Sequence, residues 1–193
     1  MSAAPITLVC GFGRCGSSMV MQMLRAGGMP VTGEWPDFET ILGIANGSVS
    51  ALEDSYNAGR ATKILEPHKV APKLRPGGYR SIWLDRDVEQ QAKSLMKLLE
   101  VGENRRNRRA LSRSLLIDRA QALKALNRLG PVLELRFEDI LLLPRASALA
   151  MAEFCELPES AIDAMAAAVR PRSPMCAMGR DLEADLVEQG APE

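Results

Sequence analysis

The tightest constraint on this chain lies near its N-terminus. Ile6-Thr7-Leu8-Val9-Cys10 is a short apolar run, and Gly11-Phe12-Gly13-Arg14-Cys15-Gly16-Ser17-Ser18 is a glycine-rich turn. Apolar positions 20, 23, 24 and 27 then follow helical spacing until Gly27-Gly28 stops them. The order is strand, turn, helix, with Met19, Met21 and Met23 expected in the helix core. Such a turn is an anion site by construction, because unpaired backbone N–H groups point outward and the helix dipole favours negative charge. Gly11-x-x-x-x-Gly16-x-Ser18 even has the Walker A spacing, but Ser17 stands where the lysine that reaches the β- and γ-phosphates belongs. Arg14, inside the loop, is the available cation. The plain alternative is a turn with an exposed arginine.

The remainder reads as strands alternating with helices. Further strands are expected at 61–65, 79–84 and 132–137, and helices at 88–99, 110–129, 145–155 and 160–169, with short helices near 38–45 and 50–58. Leu111, Leu115, Leu123 and Leu126 fall on one face of the long helix, which the cluster Arg105, Arg106, Arg108 and Arg109 precedes. This alternation implies an α/β three-layer sandwich around a central parallel sheet. With 193 residues, a single domain is expected, here 1–170 with 171–193 as a loosely packed tail.

Composition excludes several functions. Lys+Arg and Asp+Glu both number 24, so global charge gives no case for a nucleic-acid or membrane-surface partner. The longest apolar runs, such as 140–143, are far too short for a membrane span. His68 is the only histidine, and Cys10, Cys15, Cys155 and Cys176 show no CxxC spacing, so neither a zinc site nor a histidine triad has its ligands. Scattered cysteines without a secretory signal favour a reducing cytoplasm. A Cys-x5-Arg phosphatase loop fails at every cysteine. Cys15, at a helix N-terminus beside Arg14, is expected to have a lowered pKa.

Gly13-Arg14-Cys15-Gly16-Ser17-Ser18 resembles the 5′-phosphosulfate loop of sulfotransferases that use 3′-phosphoadenosine 5′-phosphosulfate (PAPS). Arg14, Gly16, Ser17 and Ser18 match that pattern, whereas Gly13 and Cys15 depart from its proline and serine, and Met19 replaces an adenine-stacking tryptophan of aryl-type members. Arg86 after the third strand and Ser94 eight residues later match the family's 3′-phosphate pair, an arginine fork and a hydroxyl closing on one anion. Leu135-Arg136-Phe137-Glu138-Asp139-Ile140, Pro144 and Phe154-Cys155-Glu156-Leu157-Pro158 resemble its late strand-and-helix signature. The likeness covers about residues 5–170 and is nearest to short bacterial sulfotransferase-like proteins, but no copy of the C-terminal Arg-Lys-Gly segment is evident.

The resemblance implies a P-loop-like fold and metal-free, in-line transfer of a sulfuryl group from PAPS to the hydroxyl or amine of a small molecule or saccharide. Gly13 to Ser18, with Arg86 and Ser94, would hold the nucleotide. Arg14 and Lys63 would stabilise developing charge, and a carboxylate would take the acceptor proton. Glu39 leads for that role, with Trp35 and Phe38 expected as an apolar wall that makes it more basic. Glu66 and His68 compete, lying just beyond Lys63. A P-loop kinase or nucleotide hydrolase, and a non-catalytic binding protein of the same fold, are the alternatives. The arginine cluster is either a solvated face or an attractor for an anionic acceptor.

Overall fold

The computed structural model describes residues 4–39, Leu52, 58–100 and 104–170. Four parallel strands, β1 (Ile6–Gly11), β2 (Ala61–Leu65), β3 (Tyr79–Asp85) and β4 (Val132–Arg136), form one sheet in the order β2-β1-β3-β4. Val9 pairs with Lys63 on one side of β1 and with Ile82 on the other. β1 is buried at all six positions, as a central parallel strand covered on both faces must be.

The helices are α1 (Ser17–Ala26), α2 (Pro67–Val70), α3 (Val88–Leu98), α4 (Arg105–Leu129), α5 (Phe137–Leu142), α6 (Pro144–Cys155) and α7 (Ala161–Ala167) among the described residues. Strand alternation divides the core into two layers. Val9, Ala61, Ile82 and Leu84 face α1 and α5 to α7, while Leu8, Cys10, Ile64 and Trp83 face α2 and α4. Met19, Met21 and Met23 of α1 are buried, and Leu115 and Leu126 of α4 are buried with Leu111 and Leu123 packed beside them. The three-layer α/β sandwich with a central parallel sheet is therefore the architecture.

Helix ends follow local chemistry. The Gly28 and Met29 N–H groups turn back to the Arg25 and Leu24 carbonyls to close α1, with Gly28 at φ 84°. Asp87 and Asn104 cap α3 and α4 by accepting from the Gln90 and Asn107 amides. Arg80, buried on β3, donates to the Phe154 carbonyl at the C-terminus of α6 at 2.7 Å.

Three expectations need correction. Phe137 opens α5 and does not end the last strand. The arginine cluster is the first turn of α4 and does not precede it, because Asn104 supplies the cap upstream. Phe38 has φ 56° and is not helical; the remainder of the helices expected at 38–45 and 50–58 lies outside the described residues, apart from Glu39, Leu52 and Ala58, as does the tail at 171–193. No helix among the described residues is long and apolar enough to cross a membrane.

Candidate active site

The chain leaves β1, forms β2 on one side of it, then crosses to form β3 on the other. This reversal opens a crevice at the carboxyl ends of β1 and β3, the usual binding position in open parallel sheets. The loop after β1 and Arg86 after β3 both lie there. Gly16 precedes α1 at φ 93° and has no side chain with which to cap it, and the Ser17 amide turns to the Cys15 thiol. In contrast to α3 and α4, α1 thus presents amides without an N-cap side chain to a ligand.

The loop is tied from several directions. Gln91 Nε2 donates to the Phe12 and Gly13 carbonyls at 3.2 and 3.0 Å. Arg86 Nη1 donates to the Arg14 carbonyl at 2.8 Å, which holds Arg14 at φ 69°. Arg14 Nε in turn donates to Ser94 Oγ at 3.1 Å. Arg14, Arg86 and Ser94 are therefore brought together, with Ser94 engaging the loop arginine. A Cβ built on Gly16 would stand 2.6 Å from the Phe137 ring, and one on Gly13 would stand 2.9 Å from Leu95. Gly16 is required both by its approach to the ring and by its left-handed backbone, whereas at Gly13 the Leu95 methyl alone stands in the way.

Arg86 is 7 % exposed, with its guanidinium carbon 4.5 Å from the centre of the Phe137 ring. Burial pushes its pKa below the usual arginine value, against the opposing charge of Glu138. Its Nε is buried without a hydrogen-bond partner. The Nε atoms of Arg80 and Arg108 share this state, but among the three only Arg86 lies beside the loop.

Across the loop, β2 presents Lys63, only 4 % exposed. Its ammonium donates to Ser18 Oγ at 3.2 Å, the Asp37 carbonyl at 2.9 Å and Glu39 Oε1 at 3.3 Å. The Asp37 carboxylate accepts the Glu39 amide at 3.0 Å and fixes the turn that brings Glu39 to Lys63. The expected apolar wall around Glu39 is absent: Phe38 is buried in the core with Trp35 packed edge-on against it, while the Glu39 side chain is 59 % exposed. Glu66 pairs with Lys69 at 2.7 Å, and His68 stacks near Phe12 at 5.6 Å between ring centres.

Two loop residues turn inward. Cys15 is fully buried against Gly11, and burial raises its thiol pKa despite hydrogen bonds from Ser17 and the charge of Lys63, contrary to the lowered value expected from its helix-end position. Ser17 is 6 % exposed and faces that thiol, so Ser18 is the hydroxyl nearer the surface.

Sequence reasoning missed Gln91, Asp37 and the role of Phe137. Gln91 was findable, one helical turn before Ser94 and on the same face of α3. Asp37 acts through its backbone carbonyl, for which no side-chain pattern exists. Among the described residues no group of three or more His, Cys, Asp or Glu side chains is placed to hold a metal.

No family model and no curated protein matches the sequence. Solved structures do. Sulfotransferase STF9 from Mycobacterium avium superimposes with a TM-score of 0.59 at 11 % identity, over 98 % of this chain and 76 % of that one. The sulfotransferase domain from the curacin biosynthetic pathway gives 0.54 at 12 % identity, over 100 % and 94 %. The sulfotransferase domain of the Synechococcus PCC 7002 olefin synthase gives 0.55 at 16 %, over 100 % and 91 %. The chain has the P-loop-like α/β fold of these bacterial sulfotransferases.

Proposed function

We propose that this protein is a sulfotransferase that moves a sulfuryl group from PAPS to an acceptor hydroxyl or amine on a small molecule or saccharide. The observation that carries the reading is the convergence of Arg14, Lys63, Arg86 and Ser94 around one loop whose helix has no N-cap side chain. The residues suit a nucleotide with two separated anionic groups. Backbone amides of residues 14–18 and the Ser18 hydroxyl would hold the 5′-phosphate. Arg86, with a buried donor lacking an acceptor, and Ser94 would hold the 3′-phosphate.

Bound PAPS would supply an activated sulfuryl group. Arg14 and Lys63 would stabilise charge that develops during transfer, which is why no metal is required in this reading. Glu39 would take the acceptor proton, its carboxylate held by Lys63 at 3.3 Å and open to solvent on its other side. The three buried free thiols fit a reducing compartment, and we assign the protein to the cytoplasm.

The test is donor turnover with and without metal. Release of adenosine 3′,5′-bisphosphate from PAPS should require an acceptor from a panel of phenols, alcohols, amines and saccharides, and should survive EDTA. Turnover of ATP that depends on Mg²⁺, with none from PAPS, would replace this reading with a kinase or hydrolase.

A further inference from the structure

β4 differs from the other strands in its surroundings. Among the described residues it pairs with β3 alone, so its second edge carries a row of backbone groups with no ladder partner. Such an edge is a template for another strand unless charge, proline or a bulge blocks it, and charges of both signs block it only against a partner that does not match their order. Here the strand reads Val132-Leu133-Glu134-Leu135-Arg136, and its single proline neighbour, Pro131, lies before it.

The order of its charges is self-complementary. In an antiparallel pair centred on Leu135, Glu134 of one copy stands opposite Arg136 of the other and the reverse pair forms by symmetry; the ladder runs over 134–136 of each copy, because Phe137 opens α5. Side chains directly opposite share a face of the sheet, so the two charge pairs lie together beside α4 while Leu133 and Leu135 face the other layer. Both charges have room to swing, at 55 and 63 % exposure, and their contacts within the chain are long: Glu134 to Arg119 at 3.8 Å and Arg136 to Glu138 at 4.0 Å. Apolar surface flanks the strand. Leu116 of α4 is 52 % exposed and lines a cleft of about 190 Å³ with Arg136. A one-residue shift would place Leu135 opposite a charge, and the register centred on Glu134 would set that glutamate against its own copy.

We propose that two copies of this chain associate through β4, joining their sheets antiparallel into one eight-stranded sheet with Glu134 paired to Arg136 across the two-fold axis. The interface lies away from Lys63 and Glu39, so it stands independently of the sulfotransferase reading.

The test is molar mass by light scattering and sedimentation for the parent chain and for charge-reversed variants. The parent should be a dimer at high micromolar concentration. Glu134→Arg and Arg136→Glu should each weaken self-association by on the order of tenfold or more, because each places like charges opposite twice. An equimolar mixture of the two variants should recover a heterodimer, since arginines on one chain then meet glutamates on the other, and the double variant should dimerise with itself. Amide exchange over 134–136 that slows as parent concentration rises gives a readout free of substitution. A monomeric parent, a dimer indifferent to both single reversals, or exchange independent of concentration would overturn the proposal.

Discussion

Two buried cations flank the same loop, and they are treated oppositely. Lys63, from β2, is satisfied on three sides by Ser18, the Asp37 carbonyl and Glu39. Arg86, from the end of β3, donates to the Arg14 carbonyl, lies against Phe137 and keeps an Nε with no acceptor. A satisfied cation is a fixed part of the resting site, whereas a desolvated one with a spare donor gains most when an anion arrives. Under the proposed function, the β2 side would handle proton and charge during transfer, and the β3 side would recognise the nucleotide.

The largest expected effect is on the β2 side. Glu39→Gln keeps the shape and removes the basicity, and should lower kcat by about 10²–10⁴-fold with nucleotide affinity unchanged. If Glu39→Gln retains parent activity while His68→Ala is inactive, the histidine near Phe12 is the base. Lys63→Met should follow, with a loss of about 10²–10³-fold in turnover. It should also destabilise the fold, since the hydrogen bond to the Asp37 carbonyl is lost at a cost of about 0.5–1.5 kcal/mol. Arg86→Met should reverse this profile: the melting temperature moves less than in Lys63→Met because the desolvated cation is removed, while nucleotide affinity falls by about 10–100-fold. Equal destabilisation by both substitutions would erase the distinction between the two sides.

The loop and the sheet were legible in the sequence because both rest on local rules. An apolar run, glycines and a helical repeat fix β1, the turn and α1 within a few positions, and alternation of elements fixes the layers. Arg14 lies in the loop itself, and the resemblance to sulfotransferases put Arg86, Ser94 and Lys63 beside it. Their partners could not be placed that way. Whether Ser94 meets Arg14 or Arg86 depends on side-chain reach across 80 residues of chain, and the Asp37 carbonyl carries no sequence signature. The environment of Glu39 was misread for the same reason: Phe38 turns into the core through a left-handed backbone, which leaves the next residue facing solvent.

The smallest effect expected is on the buried thiols. Burial lifts Cys10, Cys15 and Cys155 above the ordinary value of 9.0, Cys155 to about 11. The folded chain thus holds protons that the unfolded chain releases, so their contribution is intact below pH 9.0 and is lost progressively as pH rises above it. Melting temperature should fall between pH 9.0 and about pH 11, less steeply in Cys155→Ala than in the parent. In Cys176→Ser protein, the three remaining thiols should react with a thiol reagent at neutral pH only as the chain unfolds.

The division between the two cations is tested most directly by nucleotide-induced stabilisation of the parent and of Arg86→Ala. Adenosine 3′,5′-bisphosphate should raise the melting temperature of the parent more than adenosine 5′-monophosphate does. Binding at a hundredfold excess over Kd contributes about 2.7 kcal/mol, which is readily detected. In Arg86→Ala the two nucleotides should become equivalent. Equal shifts by both nucleotides in the parent, or a 3′-phosphate preference that survives in Arg86→Ala, would contradict the account.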